Sequence, residues 1–258
     1  MSTGTFTPAP GAAPLPRQVL AQARMETTLL LRNGEQLLLA VVVPLVVLLG
    51  GIFAADRVGL RFSHSAVDTL TPGVLALAIM STSFTSLAIA TGFERRYGVL
   101  KRLGASPLPR AGLLGGKVGA LLCVEALQVV VIGLVAGILG WDAVWSVPGV
   151  LGALACAVLG TAAFASLGLL VAGALRAEAT LAVANLVYLL LMAGGAVVIP
   201  AGTYGGAGRV LGYLPSGALG NGMRTAFLQS AFPVKALLVL AVWTAVGTLL
   251  TARTFKWE

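Results

Sequence analysis

Six long apolar runs divide the chain, at about Leu37 to Ala54, Gly73 to Phe93, Leu113 to Leu139, Gly149 to Leu175, Thr180 to Pro200 and Lys235 to Ala252. A bilayer core of roughly 30 Å takes about 20 apolar residues of helix, so each run is long enough to cross it. None shows the polar–apolar alternation of a membrane barrel, and backbone inside lipid must satisfy its own hydrogen bonds. The pattern predicts an all-α polytopic membrane protein with six transmembrane helices.

Ahead of the first run, residues 1–16 carry Pro8, Pro10, Pro14 and Pro16 among small polar residues and read as a disordered tail. From Arg17 to Leu31 the apolar positions Val19, Leu20, Ala23, Leu30 and Leu31 recur at helical spacing, with Arg17, Gln22, Arg24, Glu26 and Arg32 on other faces. This stretch predicts an interfacial amphipathic helix. Charges precede the first apolar run, so the start does not read as a signal peptide. Residues 17–258 form one membrane domain, loosely three plus three helices, with no repeat that supports an inverted-repeat carrier.

Composition strengthens the membrane reading: 58% of the 258 residues are apolar and 10% charged, with mean hydropathy +0.96. Soluble domains carry about 25% charged residues. The net charge of +8 would suggest nucleic acid in a soluble chain, but here membrane orientation accounts for it and no nucleic-acid partner is expected. Twelve basic residues fall on the side holding the N-terminal segment, the loop after the second run, Arg176 and the tail, against five on the other. Both termini are therefore expected in the cytoplasm of a cell-membrane protein. Cys123 and Cys156 lie in apolar runs and form no metal or disulfide pattern.

The most charged stretch lies between the second and third runs. It begins Phe93-Glu94-Arg95 and continues through Arg96, Tyr97-Gly98, Val99, Leu100-Lys101-Arg102-Leu103 and Ser106-Pro107-Leu108-Pro109-Arg110, with Gly116-Lys117 just beyond. Val99, Leu100 and Leu103 sit at helical spacing, and Pro107 and Pro109 stop any helix before the next run. On charge alone this is a basic loop held against anionic headgroups. The order of residues, however, resembles that of ABC-2 type transporter permeases. The likeness extends to Arg32-Asn33-Gly34-Glu35, to Pro44, and to Leu211-Gly212-Tyr213-Leu214-Pro215 with Arg224.

The resemblance implies a membrane subunit that works with a separate cytoplasmic ABC ATPase and with a second permease copy, as homodimer or heterodimer. It implies that Glu94 to Leu103 is a coupling helix seated on that ATPase, that the helix from Arg17 is a connecting helix at the membrane face, and that short re-entrant helices lie between Ala201 and Val234. Val99 stands where the family often has Thr. ATP and Mg would belong to the partner, and this chain would bind no cofactor.

Catalytic chemistry is sparse. The single Gly-Lys pair, Gly116-Lys117, has Ala111 and Val118 where a Walker A loop needs Gly and a hydroxyl, so no ATP hydrolysis is expected of this chain alone. His64, near Asp56 and Asp68, lacks the spacing of a metal site and reads as a solvated loop residue. No catalytic or metal-ligating residue is assigned. Glu125, near the middle of the third run, and Gln128 at i+3 either line a substrate path or hold helices together. Asn185 and the hydroxyls of Ser81, Thr82, Ser83, Thr85 and Ser86 are further path candidates. GxxxG pairs at Gly112/Gly116, Gly115/Gly119 and Gly133/Gly137 permit close helix approach without naming an interface.

An exporter of an amphipathic drug, natural product or lipid fits these features, and predicts that changing Glu94 or the Leu100 and Leu103 contacts uncouples transport. The competing classes are a proton-coupled secondary carrier using Glu125 and a lipid-binding membrane enzyme or scaffold.

Overall fold

The computed structural model describes residues 13–59, 62–104 and 108–255, and among them every regular element is helical. The Pro-rich segment before residue 13, Leu60 and Arg61, Ala105 to Pro107 and the last three residues lie outside the described residues. In chain order the helices are α1 (Leu15–Arg32), α2 (Gly34–Val58), α3 (Ala66–Met80), a π-helical segment (Ser81–Ser86), α4 (Leu87–Arg96), α5 (Val99–Gly104) and α6 (Arg110–Ile138). They continue with α7 (Val147–Ala174), α8 (Ala177–Gly194), a 3-10 segment (Ala201–Ala207), α9 (Gly208–Leu211), α10 (Pro215–Leu228) and α11 (Val234–Thr254).

Among the described residues, five helices are long and apolar enough to cross a membrane: Ala66–Arg96, Ala111–Ile138, Val147–Ala174, Ala177–Gly194 and Val234–Thr254. In α2 the apolar stretch Ala40–Ala55 is shorter. Leu134, Ile138, Val158, Leu190, Leu238 and Val242 are all exposed on the bundle. Such a belt of large apolar side chains suits lipid and not water.

Ala66–Arg96 is the central helix, buried over most of its length. It starts seven residues before its apolar run because Asp68, Thr69, Thr71 and Pro72 lower the local hydropathy while Thr69 and Thr71 are buried. Ser65 caps it by accepting from Asp68 N at 3.0 Å. The five candidate-path hydroxyls coincide with its π-helical turn, a distortion often found at functional positions. There α7 comes close: a methyl on Gly168 would lie 2.8 Å from Phe84 O.

The N-terminal amphipathic helix runs side by side with the start of α6, which covers one of its faces. Val19 meets Gly112 and Gly115, Gln22 meets Gly116, and Ala23 meets Gly119. A methyl on Gly116 would sit 2.5 Å from Gln22 Cγ, so the first two GxxxG pairs serve this contact. The fifth apolar run stops being helical at Gly194 instead of continuing to Pro200, and Ala196 takes a positive φ of 54°. Beyond it, α10 is buried along nearly its whole length against α3, α7 and α11.

Candidate functional site

The charged residues that end α4 each reach a different helix. Lys117 Nζ of α6 donates to Glu94 Oε1 at 2.7 Å and also lies 2.8 Å from Glu26 Oε1 of α1. The Gln22 amide donates to the same Glu26 oxygen at 2.9 Å. Lys117 is only 5% exposed, so this ion knot ties α1, α4 and α6 out of water. Arg95 donates to Gly173 O at 2.6 Å and to Leu175 O, acceptors that the end of α7 leaves without an intrahelical partner. Arg96 pairs with Glu178 in the first turn of α8. Three consecutive residues thus gather four helices into one hub.

The predicted single helix from Glu94 to Leu103 is two pieces. Glu94, Arg95 and Arg96 complete α4, Tyr97 leaves helical geometry, and Gly98 turns the chain with φ +69°. Only then does α5 begin, six residues long. A residue with a side chain is strained at that φ, which is why glycine stands there. Leu100 is 2% exposed and anchors α5 inward, Leu103 is half-buried, and Tyr97, Val99, Lys101 and Arg102 face outward. Tyr97 stacks on Phe93 with ring centroids 6.2 Å apart. A partner on this surface would therefore meet Tyr97, Val99, Lys101 and Arg102, and not the Leu100 contact that the sequence suggested.

Of the path candidates the structure joins Gln128 to Thr82 and leaves Glu125 and Asn185 apart from them. Glu125 is buried and its Oε2 accepts from Thr161 of α7 at 2.6 Å. Gln128, fully buried, donates to Ala40 O of α2 at 2.8 Å and accepts from Thr82 of the π turn at 3.0 Å. Although one helical turn apart, the two point to different neighbours, and Gln128 acts as a bracket for three elements. Asn185 is exposed on α8 and bonds to neither.

Residues 62–253 match the family model described as ABC-2 family transporter protein. The chain belongs to that family. It is a multi-pass membrane protein and the permease component of an ABC transporter, a kind of subunit that usually works with an ATPase. No curated protein matches it. The match takes in Glu94, Lys117, Glu125 and Gln128 but begins after α1 and α2, so the ABC-2 region supplies two members of the ion knot and Glu26 comes from outside it.

At the opposite end of this ABC-2 permease the structure reveals a second buried charge. Arg224 of α10 is 6% exposed and has backbone carbonyls for partners in place of an acid. Its Nε donates to Thr69 O at 3.3 Å and its Nη2 to Val197 O at 2.7 Å and to Val198 O, while Nη1 reaches Asn221 Oδ1 at 3.4 Å. The guanidinium stays cationic, because arginine keeps its proton throughout the ordinary pH range. Gly73 makes room for it, since a methyl there would lie 2.5 Å from Nη2. The freed carbonyls after Gly194 are what the guanidinium claims. Sequence reading counted Arg224 as an outer-side charge and as part of the family likeness, but not as a buried residue; its place in an otherwise uncharged, small-residue helix was the available signal.

Proposed function

We propose that this chain is the membrane subunit of an ATP-driven exporter, in which α2 completes six spans and two permease copies enclose the path. A separate cytoplasmic ATPase carrying ATP and Mg docks on the turn from Tyr97 to Arg102. Both termini and the hub lie in the cytoplasm, in the cell membrane, and the short helices from Ala201 to Leu228 re-enter from outside. The cargo class that suits so apolar a domain is an amphipathic drug, natural product or lipid.

The observation that carries this reading is the hub. A docked motor that moves α5 pulls on α4 through the Gly98 turn, and Glu94, Arg95 and Arg96 pass that motion to α6, α7 and α8 together. Ion pairs that are buried resist such a pull better than exposed ones, because water cannot replace them cheaply. The residues that touch the motor are Tyr97, Val99, Lys101 and Arg102; Glu94 and Leu100 act behind them as positioning residues.

The test is reconstitution of the permease with its ATPase in vesicles, comparing wild type with Tyr97→Ala/Lys101→Glu. The variant is expected to insert and keep its thermal stability while losing ATPase association and cargo uptake. Uptake driven by a proton gradient without nucleotide, or full ATP-dependent uptake by the variant, would overturn the proposal.

A further inference from the structure

The face of α1 turned away from α6 carries Arg17, Arg24 and Arg32, all exposed. At 1.5 Å per residue they recur at intervals of about 10.5 and 12 Å along the helix, on one stripe. Between them lie Leu20, 70% exposed, and Leu29, 59% exposed, with Thr28 beside them on the same open face. None of the three guanidiniums makes an ion pair or a side-chain hydrogen bond among the described residues. The helix's own acid, Glu26, is on the other face and is committed to Lys117.

The height of this face is fixed by that same knot. Glu26 meets Lys117, which also holds Glu94, where α4 ends in Arg95 and Arg96 and where Glu178 opens α8, so α1 straddles the border between the apolar belt and the charged end of the bundle. We infer that the outward face of α1 binds anionic phospholipid in the leaflet at that end, the arginines taking headgroup phosphates while Leu20 and Leu29 lie against acyl chains. Arginine suits this because its fork matches phosphate and its stem can lie along apolar surface. An acidic protein surface would complement the charges but would leave the interleaved leucines facing polar groups. The site uses none of the residues assigned to the ATPase, and its occupancy stands or falls independently of the exporter reading.

The experiment uses the full-length permease in nanodiscs of phosphatidylcholine mixed with phosphatidylglycerol, followed by native mass spectrometry of retained lipid. Wild type is expected to retain phosphatidylglycerol preferentially. At about a factor of five per arginine, Arg17→Gln/Arg24→Gln/Arg32→Gln lowers that preference on the order of a hundredfold, whereas the corresponding Lys variants keep most of it. Arg57→Gln, at the far end of α2, leaves it unchanged. Equal retention of the two lipids by wild type overturns the inference, as does undiminished selectivity in the Gln triple variant. Release of the ATPase by that variant with lipid selectivity intact assigns the face to a protein and likewise overturns it. If the triple variant fails to fold, Arg24→Gln alone must still lower the preference severalfold, and an unchanged ratio there counts against the site.

Discussion

Replacing Lys117 by methionine removes the cation that Glu26 and Glu94 share while keeping an apolar stem of similar length in the same space. Two carboxylates then face one another with side-chain exposures of only 11% and 22%. Breaking a buried pair by deleting one partner costs about 3–5 kcal/mol, and since water reaches part of Glu94 the lower figure of about 3 kcal/mol applies. For a chain of this size that is a drop in thermal midpoint on the order of 10 °C. Removing the acids as well leaves no stranded charge, so Glu26→Gln/Glu94→Gln/Lys117→Met returns close to wild-type stability. The assay is thermal unfolding of purified permease in one detergent, read by intrinsic fluorescence, beside vesicle uptake with the ATPase present. The triple variant separates the two roles of the knot: it should be stable, yet transport less cargo per ATP because α1, α4 and α6 no longer move as one. A Lys117→Met midpoint equal to wild type, or no recovery in the triple variant, refutes the argument that this knot holds the hub together.

Gly73→Ala places a methyl 2.5 Å from Arg224 Nη2 and 2.6 Å from Val198 O; overpacking of this kind costs about 1–3 kcal/mol, measurable as a lower thermal midpoint, and Gly202→Ala, with open space around it, serves as the unaffected control. Gln128→Leu strands Ala40 O and Thr82 and should cost about 1–2 kcal/mol without changing ATPase association in pull-down. Thr161 has one hydroxyl proton and two acceptors in reach, Glu125 Oε2 at 2.6 Å and Ala157 O at 2.8 Å. Both contacts are hydrogen bonds at once only when residue 125 brings a proton of its own. Glu125→Gln supplies an amide N–H for this purpose and should retain stability and ATP-driven uptake, whereas Glu125→Leu loses stability; abolished uptake in the Gln variant would point to proton exchange at this site instead.

The hub shows how far the linear pattern reaches. The charged stretch stood out in the sequence, and its place at the end of a membrane helix was legible because an apolar run stops at Phe93. What each charge does was not. Lys117 lies 23 residues from Glu94, and Arg95 bonds to carbonyls 78 and 80 residues away. Gly98 appeared as part of a motif, yet its backbone break is a property of one φ angle, which hydropathy and helical spacing do not register. Likewise the pairing of Glu125 with Thr161, and of Gln128 with Ala40 and Thr82, depends on how α6 is rotated against its neighbours.

Hydropathy and charge along the chain were enough to show a helical membrane bundle, where most helices run and where the charges gather. A bilayer imposes that information residue by residue: backbone must close its own hydrogen bonds and side chains must be apolar wherever they meet lipid. It took the packed helices to show that α1 lies along α6, that Glu26 completes the ion knot, that α5 is a separate piece beyond a glycine turn, and that Arg224 is buried among carbonyls. Those outcomes follow from the register and rotation of packed helices, where small residues such as Gly73, Gly116 and Gly168 let backbones approach, and no single segment contains that information.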